Sequence, residues 1–100
     1  MVNTETKFDI RYTEEGRSGT IHIKNNVVQF DFWYELAMPP ALVIIGIPEP
    51  KYWEAQTKTS LTDREKILDV IAELVIRDKL SGVGYHIIDD NILSICPGSR

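Results

Sequence analysis

The sequence contains two histidines, His22 and His86, which are its best candidates for acid–base chemistry near neutral pH. His22 lies in a segment where polar and apolar residues alternate, and a hairpin would place it diagonally from Asp31 on the next strand. A histidine beside a carboxylate can act as a general base with its orienting partner. The sequence places no serine or cysteine nucleophile beside this pair, so a polar pair on a solvated sheet face is the favoured interpretation.

The second histidine, His86, is followed by Asp89 and Asp90, and a histidine with two carboxylates is a weak indication of metal ligation. The triplet Asp-Asp-Asn is typical of a tight turn, and it lacks the longer spacing of a calcium-binding loop. Gly82 and Gly84 follow a predicted helix instead of opening one, so they do not indicate a dinucleotide loop. We therefore predict no metal, no cofactor and no catalytic residue.

Length and composition indicate one small domain. The chain has 100 residues, and we expect a single domain over 1–100 with residues 1–6 and 97–100 frayed. The net charge of −4 and the pI of about 5.1 argue against nucleic-acid binding. No apolar run approaches the ~20 residues of a membrane helix, and no signal-peptide pattern opens the chain. With Cys96 as its only cysteine, the sequence predicts a cytoplasmic protein without membrane contact.

The first half of the chain has the alternation of an antiparallel meander. Four apolar or alternating segments are separated by Gly16, by Asn25-Asn26 and by a pair of prolines. A two-residue turn at Asn25-Asn26 pairs Lys24 with Val27 and matches apolar with apolar residues along the hairpin. The fourth strand then sets Trp33 opposite Ile44 and Glu35 opposite Leu42, while the alternate residues Phe30, Phe32 and Tyr34 face the core.

The second half predicts one long helix and a short hairpin. Thr62 and Glu65 have the spacing of a capping box, and an apolar stripe at helical spacing follows them. After Gly84 the period returns to two, and Tyr85, Ile87, Leu93 and Ile95 are predicted to share one face of the hairpin. The fold class is therefore α+β: an antiparallel four-stranded meander followed by one long helix packed on one face and a short C-terminal β-hairpin.

The apolar character of the fourth strand on both of its faces identifies the candidate functional surface. Such strands are usually covered on both sides. Trp33, Leu42 and Ile44 are predicted to form an apolar patch opposite the helix, with Asp31, Glu35 and His22 at its rim. This surface predicts a non-enzymatic interaction domain that binds a protein partner or a second copy of itself.

Two other interpretations of this surface are open. Tyr52 and Trp53, or the C-terminal hairpin, can fold over the patch and cover it from within the same chain. Alternatively, the chain is a small ligand-binding domain or enzyme whose pocket lies near His22, Asp31, Tyr52 and Trp53.

The segment "IPEPKYWEAQTKTSLTDREKILDVIAELV", residues 47–75, resembles small bacterial immunity proteins of toxin systems. The resemblance rests on an isoleucine-proline strand end, a Tyr-Trp-Glu triplet, an acidic helix entry after Ser and Thr, and an isoleucine-rich helix in this order. It covers under a third of the chain. It implies sequestration of a toxin through an acidic surface, without catalysis.

Overall fold

The computed structural model describes residues 7–99, which form one sheet and two helices. The frayed end predicted at residues 1–6 and the last residue lie outside the described residues, while β6 continues through position 97. The strands are β1 (Asp9–Glu15), β2 (Ser18–Lys24), β3 (Gln29–Leu36), β4 (Val43–Gly46), β5 (Gly84–Ile88) and β6 (Ile92–Pro97), and the helices are α1 (Pro50–Thr57) and α2 (Arg64–Lys79).

The six strands form one sheet in the order β1-β2-β3-β4-β6-β5, and every neighbouring pair is antiparallel. The α+β prediction is confirmed, with its four-stranded meander, one long helix and C-terminal hairpin. The hairpin extends the sheet because β6 pairs with β4. Helix α2 packs against β5 and β6, and α1 packs against β3. Both helices cover the same side of the sheet, here called the helix face, and the opposite side is called the open face.

The β2–β3 hairpin has a four-residue loop rather than the predicted two-residue turn. Lys24 pairs with Gln29 and not with Val27. The cause is Asn25, whose side-chain Oδ1 accepts hydrogen bonds from the backbone N–H groups of Val27 and Val28, at 2.8 Å each. Such an Asx turn satisfies the loop without a tight hairpin. Because the register error is two residues, each side chain stays on its predicted face.

The β3–β4 register also differs by two residues from the prediction. Glu35 pairs with Ile44 and not with Leu42, which places Trp33 opposite Gly46 and not opposite Ile44. The loop that contains Pro39 and Pro40 is two residues longer than the tight loop that the prediction assumed. The N–H of Ala37 donates to the carbonyl of Leu42 at 2.8 Å and closes it.

Helix α2 does not begin with the capping box predicted at Thr62 and Glu65. A 3₁₀ turn, Leu61–Asp63, precedes α2, and Ser60 is its N-cap, with a side-chain oxygen that accepts from the Thr62 N–H. Asp63 is the N-cap residue of α2 and makes no side-chain capping bond. The stretch before this turn, which contains Tyr52 and Trp53, forms α1.

The core lies between the helices and the helix face of the sheet. It contains Phe30, Phe32 and Tyr34 of β3, as predicted, together with Ile21 and Ile23 of β2 and an isoleucine-rich face of α2. Trp53 of α1 is fully buried against the rings of Phe30 and Phe32, with ring centroids 6.4 Å apart in both pairs. The prediction placed the main helix over these phenylalanines, but α1 occupies that position and α2 lies over the β5–β6 end.

The C-terminal hairpin divides the four residues that were predicted to share a face. Leu93 and Ile95 are buried on the helix face, whereas Tyr85 and Ile87 lie on the open face. The register decides this, because His86 pairs with Ile95. His86 therefore takes the helix-side position, where its Nε2 lies 2.8 Å from Asp69 Oδ1 of α2.

The C-terminal end of α2 contacts β1 through charged and aromatic side chains. Lys79 donates to Glu14 at 2.9 Å and lies 4.3 Å from the ring centroid of Tyr12, whose hydroxyl donates to Asp78 at 2.9 Å. Burial raises the pKa of Tyr12, and the bond to Asp78 adds to this effect. Burial would also raise the pKa of Asp78, but hydrogen bonds from Arg77 and Tyr12 hold that pKa below its ordinary value.

Candidate interaction surface

An apolar patch occupies the open face, which neither described helix covers. Trp33 of β3 is 48% exposed and Ile87 of β5 is 38% exposed. Ile44, Tyr85 and Ile92 are half-buried on the same face, because they pair with or alternate with these positions along the sheet. The patch, called the open-face patch from here on, therefore runs across four strands, from Trp33 on β3 to Ile87 on the outer strand β5.

The indole of Trp33 lies beside Gly46 of the neighbouring strand. A Cβ atom at position 46 would stand 3.2 Å from Trp33 Cε3, closer than nine in ten such contacts. Only glycine leaves room for the ring to settle against the backbone of β4. The ring therefore lies close to the backbone of β4, and about half of the residue is exposed to solvent.

Two carboxylates flank this indole along β3. Asp31 and Glu35 are exposed and stand two residues to either side of Trp33, so all three side chains point to the open face. Leu42 is half-buried, and its N–H donates to the Ile95 carbonyl just before β4 begins. Five of the six residues that the sequence predicted for this surface, all except Leu42, are strand residues on the open face.

A hydrogen-bonded chain of three side chains forms the β1 side of the rim. His22 pairs with Asp31 across β2 and β3, and its Nδ1 lies 3.1 Å from Asp31 Oδ1. Its Nε2 lies 2.7 Å from the hydroxyl oxygen of Thr13. Thr13 was missed by the sequence prediction, although a turn at Gly16 fixes the β1–β2 register and places residue 13 on this face.

The alternative pocket does not bring its four residues together. His22 and Asp31 lie on the open face, whereas Trp53 is fully buried under the helix face. Tyr52 is 48% exposed on α1. Neither aromatic residue covers the open-face patch. Ile87, Tyr85 and Ile92 were also missed, because their face depended on the hairpin register.

Residues 7–99 were searched for metal-binding clusters and for membrane-spanning helices. They contain no group of three or more His, Cys, Asp or Glu side chains arranged to hold a metal ion. Neither α1 nor α2 combines the length and the apolar character that crossing a membrane requires.

Comparison with protein-family models, with curated proteins and with solved structures gave no match to this chain.

Proposed function

We propose that this chain is a non-enzymatic interaction domain of the immunity or inhibitor type, which binds a basic protein partner through the open-face patch. One observation carries the proposal. A tryptophan that is half-exposed lies at the middle strands of a sheet face that carries no helix, and apolar residues of three further strands continue the surface. Apolar patches of this kind, ringed by polar groups, commonly mark interfaces.

The chemistry of Trp33 supports a binding role. A buried interface tryptophan removes a large apolar area from water and is among the residues that dominate binding free energies. Gly46 leaves room for the ring to pack close to β4 before any partner binds. A ring that is already ordered loses little side-chain entropy on binding, so more of the contact energy is retained as affinity.

The charge of the rim selects the partner. Asp31 and Glu35 flank the indole, and the whole chain carries a net charge of −4. A basic partner gains both faster encounter and favourable contacts at such a rim. A second copy of this chain would bring the same acids together, so self-association is less favoured than binding of a cationic protein.

A photo-crosslinking experiment tests this proposal in the cells from which the chain comes. The crosslinker p-benzoylphenylalanine replaces Thr20, which pairs with Trp33 on the open face. The control carries it in place of Val27, which is 74% exposed in the β2–β3 loop. We expect an adduct with one basic protein from position 20 and none from position 27. The adduct disappears when Trp33→Ser is added.

Two results would contradict the proposal. The first is an equal yield of adducts from positions 20 and 27, and the second is an adduct that persists in Trp33→Ser. An adduct of twice the chain mass, together with a dimer found by light scattering, would show that the partner is a second copy of this chain and not a basic protein. Circular dichroism of Trp33→Ser shows whether its sheet is intact, and Ile87→Ser provides a second variant of the same patch.

A second candidate function has one specific observation in its favour. Thr13, His22 and Asp31 are arranged in the order hydroxyl, imidazole and carboxylate that hydrolases use to activate a nucleophile. These three side chains lie on an exposed sheet face, and the depression beside His22 has a volume of only about 50 Å³. A small ligand-binding domain or enzyme at this position is therefore the alternative.

Acylation by p-nitrophenyl acetate tests this alternative directly. If Thr13 is a nucleophile, its Oγ1 attacks the ester carbonyl, His22 takes the hydroxyl proton, and p-nitrophenolate leaves. Mass spectrometry would then find one acetyl group on Thr13, and both Thr13→Val and His22→Ala would remove it. An unmodified Thr13, together with an unchanged melting temperature across a panel of metabolites, excludes the alternative.

A further inference from the structure

The two outer edges of the sheet differ in their protection against pairing with another strand. Four of the seven residues of β1 are charged, namely Asp9, Arg11, Glu14 and Glu15. The opposite edge, β5, has the sequence Gly-Tyr-His-Ile-Ile and carries no acidic, lysine or arginine side chain. Charged residues on an edge strand discourage strand addition, and apolar edges permit it. Of the two edges, β5 is therefore the one able to accept another strand.

The hydrogen bonds of the hairpin show which backbone groups β5 leaves free. The N–H of Asp89 donates to the carbonyl of Ile92 at 2.8 Å, so this pair is hydrogen-bonded. Hydrogen-bonded and non-hydrogen-bonded pairs alternate along an antiparallel ladder. His86 and Ile88, which pair with Ile95 and Leu93, therefore direct their backbone N–H and C=O groups away from β6. Within residues 7–99 no strand lies on that outer side.

The side chains around β5 differ on its two faces. On the open face, Tyr85 and Ile87 are apolar and belong to the open-face patch. On the helix face, β5 borders an open depression of about 950 Å³ between the start of α2 and the β5–β6 turn. Its carboxylates are those of Glu65, Asp69, Asp89 and Asp90.

In the part of the chain that the structure describes, the one arginine of this depression binds backbone carbonyl groups and forms no ion pair with its carboxylates. Arg64 donates to the carbonyl oxygens of Pro48, Asp89 and Asp90, at 3.1, 3.4 and 2.7 Å, and its guanidinium lies 5.7 Å from the centroid of the Trp53 ring. Asp69 is paired with His86. Within the described residues the carboxylates of Glu65, Asp89 and Asp90 take part in no ion pair. The depression therefore has unpaired negative charge.

We infer that the β5 edge is a second binding site, which adds an extended peptide segment as a seventh strand. The segment alternates basic with apolar residues. Its backbone pairs with His86 and Ile88, its lysine or arginine side chains face the carboxylates of the depression, and its apolar side chains face Tyr85 and Ile87. Strand addition gives affinity through main-chain bonds and specificity through alternate side chains.

The probe for the experiment is the blocked peptide Lys-Val-Lys-Val-Lys-Val, added to the purified chain. Amide hydrogen exchange is followed at His86 and Ile88. With the peptide at ten times its Kd, exchange at these two amides slows about tenfold. The peptide Glu-Val-Glu-Val-Glu-Val produces no protection. Two further Lys-Val peptides are N-methylated, one at every lysine and one at every valine. The peptide whose methyl groups point at β5 cannot donate hydrogen bonds to it, so it also produces no protection.

Paired variants of the chain test the charge assignment. Asp90→Asn and Glu65→Gln each weaken binding of the Lys-Val peptide several-fold, because each removes an exposed carboxylate of the depression. Glu35→Gln, which removes an exposed carboxylate from the open face, leaves the affinity unchanged. Added salt reduces the affinity for wild type.

Three results overturn this inference. They are unchanged exchange at His86 and Ile88 with excess peptide, equal binding of the Glu-Val peptide, and binding that survives N-methylation in both registers. Trp33→Ser separates this site from the proposed function, since it abolishes partner crosslinking at position 20 but leaves protection of the β5 amides in place.

Discussion

The two tryptophans lie on opposite faces of the same sheet and have opposite surroundings. Trp53 is 0% exposed between α1 and the rings of Phe30 and Phe32, whereas Trp33 is 48% exposed over Gly46. The helix face is closed by contacts within the chain. The open face has an ordered aromatic residue that no described part of the chain covers. The difference separates residues that hold the fold from residues that are free to contact a partner.

The largest effect is expected for Trp53→Ala. The substitution removes a fully buried indole from the centre of the core and leaves a cavity. Loss of a buried aromatic side chain costs about 3–5 kcal/mol of unfolding free energy. Urea unfolding followed by circular dichroism measures the change. A loss below about 1 kcal/mol would show that the helix face is not the stable half of the molecule.

A glycine substitution on the open face comes next. Gly46→Ala places a Cβ 3.2 Å from the Trp33 ring, so the ring must move. We expect a loss of about 1 kcal/mol in unfolding free energy from this overpacking. Iodide should also quench Trp33 fluorescence more strongly, because the displaced ring is more exposed.

Gly46→Ala should increase the unfolding free energy, instead of lowering it, when the indole is absent. In a Trp33→Ser background Gly46→Ala no longer crowds a ring, and alanine suits a strand better than glycine by about 0.5–1 kcal/mol. Urea denaturation of the four proteins of this double-mutant cycle gives the coupling. Additive effects would show that the indole does not rest on Gly46.

Acid should weaken the helix face through Asp78. The folded-state pKa of this group is depressed, so its contribution to stability is present above its unfolded pKa and is lost as the pH falls through the folded value. Tyr12→Phe removes one of the hydrogen bonds to Asp78 and costs about 1 kcal/mol at pH 7.

Urea midpoints of wild type and Tyr12→Phe between pH 7 and pH 2 test this expectation. The gap between the two proteins should narrow as Asp78 is protonated. A gap that is constant with pH would show that the tyrosine acts only through packing.

The smallest effect on stability is expected for Trp33→Ser. Half of this side chain is already in water, so its removal should change the unfolding free energy by less than about 1 kcal/mol. Urea denaturation measures this, and the emission of the remaining Trp53 should lie at shorter wavelength than that of wild type. A loss as large as that of Trp53→Ala would place the indole among the structural residues.

The sequence predicted which side chains share a face better than it predicted which residues are paired. Both register errors were two residues long, and the pleat repeats every two residues, so Phe32 and Trp33 remained on opposite faces. The errors came from loops. The Asn25 side chain bonds to two backbone amides of its loop, and propensity rules for asparagine do not distinguish this from a two-residue turn.

The candidate surface was predicted in the meander and missed in the C-terminal hairpin. The face of Trp33 was predicted correctly because β3 alternates, and the face of Ile44 was correct because a two-residue register error preserves faces. Tyr85 and Ile87 were predicted to share a face with Leu93 and Ile95, yet the register gives the helix-side position to His86. Thr13 was missed because its partner His22 lies on another strand, nine residues away along the chain.

The unlike edges of the sheet also limit the size of any assembly that it forms. Growth into a fibre requires each added unit to offer a fresh site at its far side. Here one margin is apolar, and the other is guarded by four charged residues of β1. If the β5 edge binds a strand as inferred, the charged edge β1 should not bind a second one, and we expect one added strand per chain.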